Sequence, residues 1–314
     1  MPTMPATQPK LPTLWRTKLR STLHTNHAAQ EQHCRDRGLI GIGWRMDELP
    51  AAASLDLACQ AIEEREGWGR KPAAIVRRFG EKAQVGDFIW TRDVHGGYWV
   101  CRITGPYRYD GSDAAKLVDV HQVRDVQWAP KALNELEVPG GVIRRFVGQG
   151  ESFCQMHDPA AQRLTPYLWG RLTGEPVELP RITAKEVLKE YLDPYDVEDL
   201  IYVWMQVDLG YVALPRARQR DTPVYEWSML HRDSKRRGVV QVKTGSTPVD
   251  VAGLAAAIDP TDTDAFAYAT SETYDGEDHG LVRRIADAEL IDFAHHHPKL
   301  LSPRVALWFD LAIE

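Results

Sequence analysis

No stretch of this 314-residue sequence reaches the roughly 20 consecutive apolar residues that span a bilayer, and the opening MPTMPATQPKLPTLWRTK has no apolar centre of the signal-peptide kind. No membrane partner is expected on that pattern, and a cytoplasmic location is. Cysteine is scarce: Cys34, Cys59, Cys101 and Cys154 lie far apart with no Cys-x-x-Cys pair, which indicates neither a zinc knuckle nor a disulfide framework. They read as buried thiols. Internal repeats and low-complexity tracts are missing. So is an excess of positive charge, since a formal net charge of -6 argues against a protein that coats nucleic acid indiscriminately.

What is present is ordinary globular material, 43% hydrophobic and 26% charged, long enough for two domains. Charge is unevenly spread. Residues 250–314 carry 13 acidic side chains against 4 basic ones, whereas residues 213–243 hold eight basic and three acidic. The prolines and glycine of LTGEPVELPRITA mark a boundary, which gives domains at 1–175 and 184–314 with a linker at 176–183. Before it, short β-like runs dominate: 38–44, 85–93, 97–104, 116–128 and 140–149, with helical patterns at 56–66 and 71–81. That pattern predicts a small β-barrel with helices at its side. After the boundary, helices and strands alternate, as in an α/β domain. DPYDVEDLIYVWMQVDLG opens on Asp193 as a cap with Pro194 at the first position and closes at Gly210.

The run RGVVQVKTG poses a chemical question. A strand this apolar needs a reason for Lys243, and alternation puts Gln241 on the same face. Glu226, in the preceding VYEWSMLHR strand, can reach that face across the hairpin. One carboxylate, one amide oxygen and one ammonium at a strand end can hold a hard divalent cation and a water beside a phosphodiester. Asp221 rivals Glu226 for the acidic place; five residues apart on a continuous strand, the two face opposite ways.

The order Glu198 on a helix, then Glu226, then Gln241-Val242-Lys243 resembles the PD-(D/E)xK nuclease superfamily, in particular its Mrr-type restriction endonuclease branch. The resemblance covers roughly residues 184–314 and implies a restriction-endonuclease-like α/β/α fold and Mg²⁺-dependent hydrolysis of nucleic acid. It implies that Glu226 and Gln241 ligate Mg²⁺ with help from the Val242 carbonyl. Lys243 then serves the water and the phosphate, and Glu198 adds an outer carboxylate. Arg216, Arg218 and Arg220 before the first of these strands, and Arg232, Lys235, Arg236 and Arg237 in the hairpin turn, are expected beside the phosphate site.

In the first half, VGDFIWTRDVHGGYWVCRITGPYRYD places a Gly-Asp turn, a Gly-Gly turn and recurrent aromatics along two strands. This resembles the PUA-like superfamily, especially EVE-type barrels, and implies a pocket for an extruded or modified base, lined by one or two of Trp44, Trp90, Trp99 and Tyr107. Reader and nuclease together imply a modification-dependent DNA restriction enzyme acting against foreign DNA. Cutting two strands implies a homodimer. The alternatives are a nucleic-acid-binding protein without activity and an RNA-directed nuclease. His295, His296 and His297, adjacent on a helix, point in different directions and read as surface.

Overall fold

The computed structural model describes residues 11–19, 26–147, 150–177, 181–213 and 224–313, and the fold is mixed α/β. The chain divides into two compact units, Met1–Pro180 and Arg181–Glu314, a division that falls inside the segment 176–183.

The first unit is built on six strands: β1 (Leu14–Thr17), β2 (Leu39–Ile42), β3 (Phe88–Arg92), β4 (Tyr98–Tyr109), β5 (Gln122–Trp128) and β6 (Phe153–Met156). They line up as β2-β5-β4-β3-β1-β6, with β1 parallel to β3 and the other pairs antiparallel. The β3–β4 hairpin turns where the Gly-Gly step stands. Asp93 Oδ1 accepts the backbone N–H groups of His95 (2.9 Å) and Gly97 (2.8 Å), and Gly96 takes φ 93°, which only glycine adopts without strain. Burial pushes the Asp93 carboxyl up, but the Trp99 indole N–H and these backbone donors hold it below its ordinary value.

Among the described residues no ladder joins the edge strands β2 and β6, so the expected barrel does not close. The reason is that helices cover both faces of the sheet. On one side α1 (His27–Asp36), α2 (Leu55–Glu64) and α3 (Arg70–Arg77) pack Cys34, Ile62 and Val76 against Trp15, Ile89, Cys101 and Ile103. After a short α4 (Asp113–Val118), α5 (Gly140–Val147) and α6 (Pro159–Thr173) cover the other side: Phe146 meets Tyr98 edge-on at 5.6 Å and Trp169 meets Phe88 at 5.5 Å. A sheet packed on both faces has no interior to wrap around.

Two expected strands are helical. Residues 140–147 form α5, because Val142, Ile143, Phe146 and Val147 recur at helical spacing, and Gly141 lets the helix sit where any Cβ would meet the Asp158 carboxylate at 2.2 Å. The run 116–128 is a strand only from Gln122; before that, Ser112 caps α4, and Asp119 reverses the chain in the left-handed region, φ 51°.

The second unit begins with β7 (Ile182–Thr183), a short α7 (Ala184–Glu186), a π-helical turn Val187–Tyr191, and α8 (Pro194–Val207). Asp193 caps α8 through the Tyr195 N–H at 3.0 Å, and the chain leaves at Gly210 with φ 75°, as expected. Val197, Leu200, Ile201, Trp204 and Met205 form its buried stripe at helical spacing. Three further strands follow: β8 (Tyr211–Ala213), β9 (Trp227–His231) and β10 (Arg237–Lys243). Beyond β11 (Val249–Asp250) and α9 (Val251–Ala256) come β12 (Thr263–Ala269), β13 (Tyr274–Asp275) and β14 (Val282–Arg284). The chain then forms α10 (Asp287–His296), α11 (Pro303–Leu311) and β15 (Ala312–Ile313). The main sheet runs β14-β12-β10-β9-β8, antiparallel up to β10 and parallel beyond it. A buried ion pair fastens α8 to α11, with Arg304 Nε 2.7 and 2.9 Å from the two Asp196 oxygens.

Candidate active site

β10 is the middle strand of the second sheet, and its alternation decides what meets at its end. Arg237, Val239, Gln241 and Lys243 share one face, and the register pairs the last three with Ala265, Ala267 and Ala269 on β12. These alanines were not singled out in the sequence, although AFAYA carries the strand alternation. They are buried in a cluster with Val239, Val249, Val251 and Leu254. On the other flank the regular ladder stops at Val240 opposite Trp227. Glu226 adds its own N–H to the same Val240 carbonyl at 2.8 Å, so two residues face one in the manner of a β-bulge. Alternation sets Glu226, next to Trp227, on the Gln241–Lys243 face, and there Lys243 Nζ donates to Glu226 Oε1 at 3.0 Å. Each side chain is about one third exposed (32% and 31%), so the pair is open to solvent and to a substrate.

Gln241 lies beneath them, 4% exposed, and its buried Oε1 has no hydrogen-bond partner. A buried acceptor left unsatisfied costs about 1–3 kcal/mol and calls for an explanation. Backbone alternation supplies a further oxygen. The Val240 carbonyl points to β9 and the Lys243 carbonyl accepts from Thr270 of β12 at 3.0 Å, so the Val242 carbonyl points past the end of β9. A carboxylate, an orphaned amide oxygen and a carbonyl form an all-oxygen donor set of the kind that suits Mg²⁺. The residues fit that ion; among the described residues no three His, Cys, Asp or Glu side chains cluster as a metal site.

Glu198 is half-buried on α8, two residues after the buried Asp196. Asp221, Arg216, Arg218 and Arg220 lie outside the described residues. The hairpin turn is not beside the site: Arg237 and Lys243 are at opposite ends of β10, about 20 Å apart at ~3.3 Å per residue. Arg236 is a structural residue, clamped on Asp264 (2.7–3.1 Å) and on the carbonyls of Pro260, Thr261 and Thr263. Its guanidinium, together with the Tyr211 hydroxyl, holds the Asp264 carboxyl below its usual range. Arg237 lies over the Tyr225 ring at 5.1 Å, while Arg232 and Lys235 are exposed.

Of the four aromatic candidates in the first unit, the structure connects two. Trp44 is half-buried with φ 67°, a strained conformation for so bulky a residue, and its carbonyl accepts from Gln122 Nε2 at 3.2 Å. Gln122 Oε1 in turn accepts the Tyr107 hydroxyl at 2.5 Å, and burial pushes that phenol well above its ordinary value. Trp99 is occupied in packing, its indole donating to Asp93 at 2.9 Å, with Trp128 against its ring at 6.4 Å and Arg35 over it at 4.6 Å. Trp90 is fully buried, and its indole donates to Thr165 Oγ1 at 3.1 Å. It belongs to the core, because a sheet covered on both faces needs large rings as filling. Thr165→Val, which strands that indole N–H, is expected to cost about 1–3 kcal/mol in a urea titration and to leave nucleic-acid affinity unchanged.

Cys34, Cys59 and Cys101 are buried thiols whose ionisation burial suppresses, the first pushed up to about 12; Cys154 differs in being half-buried. His295 and His296 are exposed, as expected of adjacent helical residues, and His297 is half-exposed. No helix of the described residues is long and apolar enough to cross a membrane.

A family described as a domain of unknown function (DUF8426) matches residues 15–139, within the first unit and outside the strand end that carries Lys243. No curated protein and no solved structure matches the chain.

Proposed function

We propose that the protein is a Mg²⁺-dependent endodeoxyribonuclease whose second unit is a restriction-endonuclease-like domain and whose first is a PUA-like reader of modified bases, acting as a homodimer on foreign DNA. The observation that carries the reading is the orphaned Gln241 oxygen beneath a solvent-open Lys243–Glu226 pair. Mg²⁺ held by Glu226, Gln241 and the Val242 carbonyl would polarise a phosphoryl oxygen and acidify a bound water. Lys243 orients the attacking water through Nζ and offsets the charge gathering on the phosphate oxygens as the bond from water to phosphorus forms and the opposite P–O ester bond breaks, the leaving oxygen taking a proton from solvent. Glu226, released from Lys243, keeps its negative charge on the metal side. The half-buried Trp44, held in its strained backbone conformation by Gln122 and Tyr107, is the preferred wall for a stacked base.

The competing reading, a nucleic-acid-binding protein without hydrolysis, draws on the want of a cluster of three or more His, Cys, Asp or Glu among the described residues. Gln241→Glu separates the two. A carboxylate is a better Mg²⁺ ligand than an amide, so this variant is expected to retain Mg²⁺-dependent nicking of plasmid DNA and to need less Mg²⁺ for half-maximal rate. Absence of metal-dependent nicking in both wild type and variant, across unmodified, 5-methylcytosine and 5-hydroxymethylcytosine substrates, favours the binding protein.

A further inference from the structure

After α3 the first unit departs from regular helix: Arg78–Lys82 forms a π-helical turn. Such turns are rare and recur at functional sites. This one is held by a buried arginine. Arg124, on β5, donates Nε to the Phe79 carbonyl (3.0 Å), Nη2 to that of Gly80 (2.6 Å) and Nη1 to that of Gly105 (3.1 Å). Burying a guanidinium is costly unless its donors are used, and here three carbonyls use them. Phe79 is thereby fixed in the core, edge-on to Phe153 at 5.1 Å. Arg78 and Lys82, on either side of it, line a cavity of about 500 Å³ together with Thr13, Trp15, Cys154, Gln155 and His157.

The lining divides into an apolar and a cationic part. Trp15 is almost fully buried, and its indole N–H is already taken by Asp87 at 2.9 Å, so it offers the cavity only carbon. The register sets Gln155 beside Trp15, an amide that both donates and accepts. Facing them, Arg78 is shared between the Glu151 carboxylate and the Phe153 carbonyl. Lys82 is exposed and has no ion-pair partner among the described residues; His157 is exposed too. The volume is within the roughly 300–1,000 Å³ of small-molecule sites, and a cationic rim over an apolar floor suits an anion carried on an organic body.

We propose that this cavity binds an organic phosphomonoester, its phosphate on Lys82, Arg78 and His157 and its organic part against Thr13, Trp15 and Gln155. A phosphomonoester brings about -1.5 to -2 charges and three acceptor oxygens to a guanidinium, an ammonium and an imidazole, each of which can donate. A free nucleotide, a sugar phosphate and the 5′-phosphate end of a nucleic-acid strand share this chemistry. The site stands on the first unit alone and does not depend on the nuclease reading.

The test uses the full chain and titration calorimetry with adenosine 5′-monophosphate, ribose 5-phosphate and a 5′-phosphorylated tetranucleotide, with adenosine as control. Saturable binding of at least one phosphate is expected, and the tightest identifies the source. Lys82→Glu, at an exposed position, should weaken it at least tenfold, whereas Lys243→Ala should leave it unchanged. The bound ligand should also slow alkylation of Cys154 by iodoacetamide. The proposal is overturned if none of the three phosphates binds saturably, if adenosine binds as tightly as its monophosphate, or if Lys82→Glu binds like the wild type.

Discussion

Lys243→Ala is expected to lower Mg²⁺-dependent strand cleavage by roughly 10²–10³-fold, the loss seen when one preorganised donor to a developing oxyanion is removed. The geometry gives two reasons for so large an effect. Nζ is the cation at the strand end, 3.0 Å from the Glu226 carboxylate that would hold the metal. Removing it also frees Glu226 from its ion pair, which should strengthen Mg²⁺ binding slightly while the chemical step slows. The signature is therefore a fall in kcat with an unchanged or lower Mg²⁺ requirement, and duplex affinity close to that of the wild type. Gel assays of single-turnover cleavage over a Mg²⁺ titration measure both. Cleavage at the wild-type rate removes Lys243 from the reaction.

Arg304→Ala should destabilise the second unit by about 3–5 kcal/mol, because it leaves the Asp196 carboxylate buried without its guanidinium. Stability of that size is a large part of what a domain has. The double variant Asp196→Leu with Arg304→Met should recover much of the loss, since the penalty comes from the stranded charge more than from the missing attraction. Urea midpoints of wild type, single and double variants decide this. A double variant no more stable than Arg304→Ala would place the cost in lost packing between α8 and α11.

The second unit was easier to read than the first for a physical reason. Its helices announce themselves by caps, as Asp193, Pro194 and Gly210 do for α8, and its central strand by an unbroken apolar run. Strand alternation alone put Gln241 and Lys243 on one face. It also let Glu226 reach that face across the hairpin; what it could not give was the bulge by which the Glu226 N–H bonds the Val240 carbonyl where β9 stops pairing, a property of two strands. Nor could it give the position of the basic turn, since a cluster eight residues away in the chain can be adjacent or a whole strand length distant. In the first unit, α5 was missed although Val142, Ile143, Phe146 and Val147 recur at helical spacing, because the run is short and opens on two glycines. Trp90 was ambiguous for another reason: a ring that fills a core and a ring that stacks on a base have the same sequence signal.

β10 has a consequence for any duplex that reaches both of its ends. The strand is rigid, and seven consecutive register partners on β12 prevent it from sliding. Its length of about 20 Å between Arg237 and Lys243 corresponds to roughly six nucleotides at ~3.4 Å each along one strand of DNA. In the proposed nuclease it would act as a ruler: a phosphate held at the hairpin would fix which bond, some six steps along, lies over Lys243.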